Sequence, residues 1–375
     1  MTTSVAVLGV RGYGRVHLRA LADLAAEGVA RLVAVADPAG ADGVAEVPHG
    51  TAVFADLDSM LEQVVPDVVV LATPIHTHLP LAERAMRAGC AVLVEKPTTS
   101  TLAEFEALVA ASKQTGRPCQ VGFQSFGSLA LPDIARSITT GEIGDLLSIG
   151  GVGTWIRPTT YYQRGAWAGR RRLDGRDVVD GVVTNPLAHA VATGLRIAGA
   201  RTAEDVEDVT TDLFHAHDIE ADDTSAVRVR TAGGLTLSFG LTLAAATNQQ
   251  PAVFVYGTEG ELEFRYNQDL LLVRVEGQAE QQRSYGRQSL LRNMHQHLTT
   301  GEPLLGQVTE TGAFMRVLEA VRLAPDPVAI PAQYITWTED EYGRHPVVQD
   351  VEHWCRQVAL EGRTFTELGV PWAVR

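Results

Sequence analysis

Three glycines, Gly9, Gly12 and Gly14, sit in the segment SVAVLGVRGYGRVH, between an apolar run and the start of a helical pattern. A diphosphate needs backbone N–H groups at a helix N-terminus, and glycine lets the chain come close without a Cβ in the way. Arg11 occupies the middle of the G-x-G-x-x-G register counted from Gly9, where it can contact a phosphate or lie over an adenine, and Tyr13 shares the turn. Asp37 ends the second apolar run, in VAVADP, where a carboxylate can accept hydrogen bonds from both ribose hydroxyls and repel a 2′-phosphate. NAD is therefore favoured over NADP. Lys96 ends a further apolar run, at the edge where open α/β sheets bind ligands. A lysine partly desolvated beside a cationic ring has its pKa depressed and can accept or relay a proton. The plainer reading is a solvated lysine paired with Glu95.

These residues require a parallel sheet to hold them. Val5 to Leu8, Leu32 to Ala36, Val68 to Ala72, Ala91 to Val94 and Cys119 to Gly122 are short, Val-rich and too apolar for a wet face. Helical segments alternate with them, one from Gly14 to Gly28 and one opened by Thr101 and Glu104 in capping-box spacing and closed near Gly116. The pattern predicts an α/β protein whose residues 1–124 form a Rossmann-type, doubly wound dinucleotide-binding domain. Beyond about Phe126 the segments Ala226 to Val229, Leu235 to Phe239, Val253 to Tyr256 and Leu270 to Val275 alternate between Gly-containing turns. With helices near Pro186–Ala198 and Glu310–Leu323, they predict an α+β domain over 125–330 with a large, mainly antiparallel sheet. A tail over 331–375 is expected to pack on the body.

The chain has 375 residues, enough for two cores, and a formal net charge of −14, which argues against nucleic acid and anionic membranes as partners. No apolar stretch reaches membrane-spanning length and no leader pattern opens the sequence, so a cytoplasmic protein is expected. Cys90, Cys119 and Cys355 form no C-x-x-C and read as reduced thiols.

The stretch ATPIHTHLPLAERAMRAGCAVLVEKP, followed by an acidic helix and GRPCQVGFQ, resembles the glucose-fructose oxidoreductase, inositol dehydrogenase and rhizopine-catabolism (Gfo/Idh/MocA) family. The resemblance implies that Lys96, within Glu95-Lys96-Pro97, sits beside the nicotinamide and the substrate hydroxyl, and that Pro97 follows a cis peptide. It implies that Thr73, Pro74 and His78 line the cofactor, with Ile75 replacing a customary Asn, and it brings Glu95 and Gln124 into the same set. It also implies a homo-oligomer, dimer or tetramer, paired through the second sheet.

The segment from Thr154 to Gly199 resembles the substrate-facing part of the family's sugar dehydrogenases, with Asn185 and His189 at the Asp/Asn and His positions. Pro186 suits the first helical position and Asn185 the N-cap, which would put Asn185 and His189 one turn apart on one face. In that first turn the helix dipole favours neutral imidazole, a general base at neutral pH. A core histidine and a simple cap are the plainer alternatives. Tyr161, Tyr162, Arg164 and Trp167 precede this helix and offer aromatic faces and a guanidinium to a sugar ring. The stretch from Arg157 to Arg176 holds six arginines, which suits an anionic substrate group, a solvated loop or a subunit contact. The H-x-H pairs at His76/His78, His215/His217 and His295/His297 lack companion ligands, and no metal is expected.

The expected activity is NAD-dependent oxidation of a secondary hydroxyl of a sugar, inositol or sugar derivative, with His189 and Lys96 taking the proton. Redox-assisted glycosidic cleavage with NAD recycled, and a non-catalytic NAD-binding regulator, are the rivals.

Overall fold

In a computed structural model describing residues 2–374, the apolar runs of the first third become neighbouring strands. Met1 and Arg375, the outer limits of the expected first and last domains, lie outside the described residues. The strands are β1 (Thr3–Leu8), β2 (Ala30–Ala36), β3 (Ala52–Phe54), β4 (Val68–Leu71), β5 (Ala91–Val94) and β6 (Cys119–Val121). They pair in parallel in the order β3-β2-β1-β4-β5-β6. The helices are α1 (Gly14–Ala26), α2 (Leu57–Leu61), α3 (His78–Arg87) and α4 (Leu102–Thr115). The order reverses between β1 and β4, so the carboxyl ends of β1, β2, β4, β5 and β6 surround one switch point. At α4 the Thr101 hydroxyl accepts from the Glu104 N–H at 3.1 Å, and Gly116, at φ +64°, ends the helix. The Glu104 carboxylate reaches back one residue further than expected, to the Ser100 N–H at 3.0 Å.

The chain then runs through α5 (Ala130–Thr139), β7 (Leu146–Thr154), the short pair β8 (Arg172–Leu173) and β9 (Arg176–Asp177), and α6 (Ala188–Ile197). Strands β10 (Val206–His215), β11 (Thr224–Thr231), β12 (Thr236–Thr242), β13 (Ala252–Gly257), β14 (Gly260–Arg265), β15 (Leu270–Val275) and β16 (Gln281–Ser284) follow. After α7 (Leu290–Thr300) come α8 (Gly312–Leu323), β17 (Val328–Ala329), the hairpin β18 (Ile335–Asp340) and β19 (Gly343–Val348), and α9 (Val351–Glu361). Nine strands join in the order β16-β15-β14-β13-β7-β12-β11-β10-β17, antiparallel except for β12 with β7 and β10 with β17.

Two compact units result: the chain up to Gly127 with Gln288–Thr311, and Ser128–Arg287 with the residues from Gly312 onward. Residues 288–311 thus differ from their expected place in the second domain. Leu290, Leu291 and Met294 of α7 join the core of Val5, Val68 and Leu93 under the parallel sheet, because α7 carries an apolar stripe those strands leave uncovered. The segment after residue 331 is more than a tail: α9 crosses one face of the nine-stranded sheet. A Cβ on Gly240 would lie 2.3 Å from the Cys355 carbonyl oxygen, and one on Gly150 2.6 Å from that of Ala359. Gly151 and Gly153 face the other way, against Phe239 and Leu187.

Candidate active site

In the first unit the glycine turn is built as its sequence requires. Gly9 takes φ +79°, and a Cβ on Gly14 would lie 1.8 Å from the Gly9 carbonyl oxygen, so the strand can turn this sharply into α1 only without side chains there. Helix α1 begins with no side-chain cap and no acid in its first turn, and Arg11, Gly12 and Tyr13 are exposed ahead of it. Its positive end is left for an anion. The Asp37 carboxylate accepts from the Val10 N–H at 3.1 Å and from the Ala39 N–H at 2.9 Å, which fixes it beside the turn with lone pairs to spare for a diol. The Arg11 guanidinium donates to the carbonyls of Ala39, Gly40 and Asp42 at 3.2–3.4 Å, strapping the loop after β2. An uncapped helix end, a close-approach turn and a fixed carboxylate fit the diphosphate and ribose of a nicotinamide dinucleotide.

Beyond the switch point, Thr73 follows β4 half-buried and Pro74 is exposed. His78 is 2% exposed. Its Nε2 lies 2.9 Å from the Thr73 carbonyl oxygen and its Nδ1 3.1 Å from those of Pro97 and Thr98, so it ties two strand-end loops together. Burial pushes its pKa down and favours the neutral ring.

Glu95 follows β5, is buried, and is the centre of a network that the sequence showed only in part. His17 Nε2 donates to Glu95 Oε1 at 2.7 Å, Gln124 Nε2 donates to the same oxygen at 3.1 Å, and the Lys96 N–H donates to Oε2 at 3.2 Å. Burial alone would raise the Glu95 pKa, but the hydrogen bond and charge of His17, and the charge of Lys96, hold it below the usual carboxylate range. A Cβ on Gly122 would stand 2.6 Å from Oε1, so that glycine makes the room. The Lys96–Pro97 peptide is cis, as the resemblance implied. His17 escaped the sequence reading. The available signal was a polar residue on the buried face of α1, beside Leu18 and Leu21.

In the second unit the predicted cap is corrected. Helix α6 starts at Ala188 with Leu187 at its N-cap position, because residues 181–187 form successive tight turns, with the Asn185 N–H on the Gly181 carbonyl and that of Leu187 on the Val182 carbonyl. His189 still lies in the first turn, half-buried, its ring 6.5 Å from that of Tyr266. Asn185 does not cap; its amide donates to Asp180. That carboxylate is 5% exposed and also accepts from the Gly169 N–H at 2.7 Å and from Arg164 through both oxygens, at 3.0 and 2.7 Å. Burial outweighs Arg164 and raises the Asp180 pKa. The Arg164 guanidinium lies 3.7 Å above the Tyr161 ring and 4.5 Å from that of Trp167, so it is held between Asp180 and two aromatic rings. Tyr162 packs inward on His217, with ring centroids 4.8 Å apart, while Trp167 is half-buried. His217 in turn pairs with Asp223 at 2.7 Å. Among the described residues no three His, Cys, Asp or Glu side chains gather as metal ligands. Lys96, Glu95 and Gln124 thus share one network in the first unit, and Asn185, Asp180 and Arg164 another in the second.

Two family models match the chain: the oxidoreductase family with NAD-binding Rossmann fold over residues 3–123, and the GFO/IDH/MocA C-terminal domain over 133–263. The chain belongs to the Gfo/Idh/MocA oxidoreductase family. Among its relatives, inositol 2-dehydrogenase 1 of Saccharopolyspora erythraea is 35% identical over 39% of this chain and 44% of that protein. The scyllo-inositol 2-dehydrogenase (NAD(+)) of Bacillus subtilis is 36% identical over 37% of this chain and 41% of that protein. Each match therefore spans less than half of the relative. Among solved structures, the WlbA dehydrogenase of Bordetella pertussis, in complex with NADH and UDP-GlcNAcA, superposes with a TM-score of 0.70 at 22% identity, over 85% of this chain and 95% of that one. An oxidoreductase from Agrobacterium radiobacter, in complex with NAD+, L-tartaric acid and magnesium, gives 0.66 at 14% identity over 99% and 100%. These two likenesses show that the Gfo/Idh/MocA fold extends through both units.

Proposed function

We propose that this Gfo/Idh/MocA member is an NAD-dependent dehydrogenase that oxidises a secondary hydroxyl of a sugar, inositol or sugar derivative. The observation that carries the reading is Lys96, held at the carboxyl end of β5 by a buried carboxylate network on the far side of the switch point from Asp37. The inositol dehydrogenases among its relatives support the substrate class, and the NADH and sugar nucleotide bound to the WlbA enzyme support the cofactor and a sugar ligand.

In this reading the turn Gly9–Gly14 holds the diphosphate, Asp37 holds the adenosine ribose and disfavours a 2′-phosphate, and Thr73, Pro74, Glu95 and Gln124 shape the nicotinamide end. When bound, the nicotinamide supplies the hydride acceptor. His189 takes the hydroxyl proton and Lys96 assists it, with Asn185 orienting the same hydroxyl. Tyr162, Arg164 and Trp167 serve the substrate by shaping the wall behind Asn185. The protein's work is positioning and deprotonation. Three free, buried thiols suit a cytoplasmic setting, and no helix among the described residues is long and apolar enough to cross a membrane. We place it there as a homo-oligomer, by its family.

The test incubates the protein with NAD and a panel of inositols, free aldoses, sugar acids, sugar phosphates and nucleotide-linked sugars, following reduced nicotinamide and product mass together. One panel member should give equimolar NADH and a product two mass units lighter. NADH binding with no turnover on any member would make the protein a sensor, and bond cleavage without net NADH would make it a lyase.

A further inference from the structure

The arginines from Arg157 to Arg176 are not equivalent. Arg164, Arg170, Arg171 and Arg172 each meet a carboxylate, of Asp180, Glu220, Asp326 and Asp177 respectively, at 2.7–3.7 Å, and Arg176 is exposed to water. Arg157 is half-buried and meets no carboxylate among the described residues, in a chain with 45 Asp and Glu against 31 Lys and Arg. Its guanidinium lies 4.7 Å from the Trp155 ring and 5.1 Å from the Tyr161 ring. Nη1 donates to the Ile156 carbonyl at 3.0 Å, while the Nε–H is buried with no acceptor. Two aromatic faces and one carbonyl offset only part of the cost of drawing a charge out of water. The mount is fixed. The Arg157 backbone N–H donates to the Leu243 carbonyl at 3.1 Å, His217 Nε2 lies 2.9 Å from the Arg157 carbonyl oxygen, and the Trp155 indole N–H donates to the Gln249 carbonyl at 3.2 Å. Nor are Asp180 and Asp223, two buried acids of the same unit, free to turn toward it: Asp180 is held by Arg164 and the Gly169 N–H, and Asp223 by His217 and the Ala216 N–H.

Place and geometry say what completes it. The Tyr161 ring is shared by Arg157 and Arg164; Arg164 holds Asp180, and Asp180 holds Asn185. Arg157 is thus joined to the residue that orients the reacting hydroxyl through three intervening side chains. A guanidinium edge left open at Nε takes the oxygens of a carboxylate or phosphate side-on. We infer that Arg157 is the receptor for an oxyanion on the substrate, a carboxylate or a phosphate ester carried away from the carbon that is oxidised, so that the protein selects acidic sugars over neutral ones. The inference rests on the dehydrogenase reading above and narrows its substrate class.

The test compares matched pairs at saturating NAD: glucose with glucuronate, galactose with galacturonate, and N-acetylglucosamine with its 6-phosphate and its UDP derivative. For one acidic member the wild type should show a KM about tenfold or more below that of its neutral partner. Which member it is separates a carboxylate from a phosphate. In Arg157→Gln the two KM values should converge to within about twofold, the loss falling on KM more than on kcat. If Arg157→Gln melts below the assay temperature, Arg157→Lys, which keeps the charge and loses the fork, should lower the preference to about threefold. A wild type that oxidises neutral and acidic partners alike, or a preference that survives in the variant, would overturn the inference and leave the dehydrogenase reading standing, with Arg157 a packing residue. A protein that oxidises no member is titrated calorimetrically with the same pairs in the presence of NADH. Acid-selective binding that is lost in Arg157→Gln would then keep the inference and overturn the dehydrogenase reading, and no binding would overturn both.

Discussion

The carboxyl edge of the parallel sheet and the turn ahead of α6 are both centred on a buried carboxylate, Glu95 in one and Asp180 in the other. Glu95 sits one residue past a strand whose neighbours set its backbone on both sides, and its partners come from α1 and from the segment after β6. Asp180 sits in a run of turns between two short elements, and its partners Arg164, Gly169 and Asn185 all lie within 16 residues of it. The first is held by the sheet and decorated by side chains; the second adds a side-chain network to turns whose backbone is tied to Arg170, Arg171 and Asp222. The difference appears in the charges, since the Glu95 pKa is held down while that of Asp180 is pushed up by burial.

The largest effect expected is on turnover. Lys96→Ala should cut kcat on the order of 10³-fold while NADH affinity, read by fluorescence titration, moves less than about threefold. Unchanged turnover would remove Lys96 from the chemistry. Next is Glu95→Gln, which leaves His17 against a neutral amide and should cost about 3 kcal/mol in urea unfolding at pH 7. Because the folded pKa of Glu95 lies below its ordinary value of 4.5, that stabilisation is complete above 4.5 and drains as the pH falls through the folded value. Glu95→Gln should therefore flatten the acid limb of stability, and an unchanged limb would show that the pair contributes nothing.

Asp180→Asn should act more locally, costing about 2 kcal/mol and lowering turnover about tenfold, because Arg164 and Asn185 lose their shared acceptor. The exchange Asp180→Asn with Asn185→Asp restores an amide–carboxylate pair and should recover most of the turnover; no recovery would mean that Asp180 serves only the fold. The smallest effect is Thr101→Ala, an uncapping of α4 expected to cost about 1 kcal/mol in thermal unfolding with no change in cofactor affinity.

The same contrast governs what could be read from the amino acids. Ala91–Val94 and Leu270–Val275 are recovered residue for residue, because side chains that pack on a sheet face must be apolar in a regular rhythm. Strand β7 was missed although it lies near the middle of its sheet. Gly150, Gly151 and Gly153 erase the strand signature there, and they are glycines because α9 approaches one face while Phe239 and Leu187 fill the other. Lys96 and His189 were legible as a strand-end lysine and a first-turn histidine. Asp180 and His17 were not, since each earns its place through a partner distant in the sequence or hidden in a loop. Arg164 was visible, but its partners were not: Asp180 and the two rings that hold its guanidinium come together only in the folded turns.

The helix α9 also bears on how this polypeptide is made. It covers β7 and β12, yet its first residue leaves the ribosome more than 100 positions after the last residue of β12. Through that interval one side of the nascent sheet has only solvent or a chaperone to meet its aliphatic groups. A stop codon shortly before Val351 should thus yield insoluble product even though the first unit, complete by Thr311, is already made.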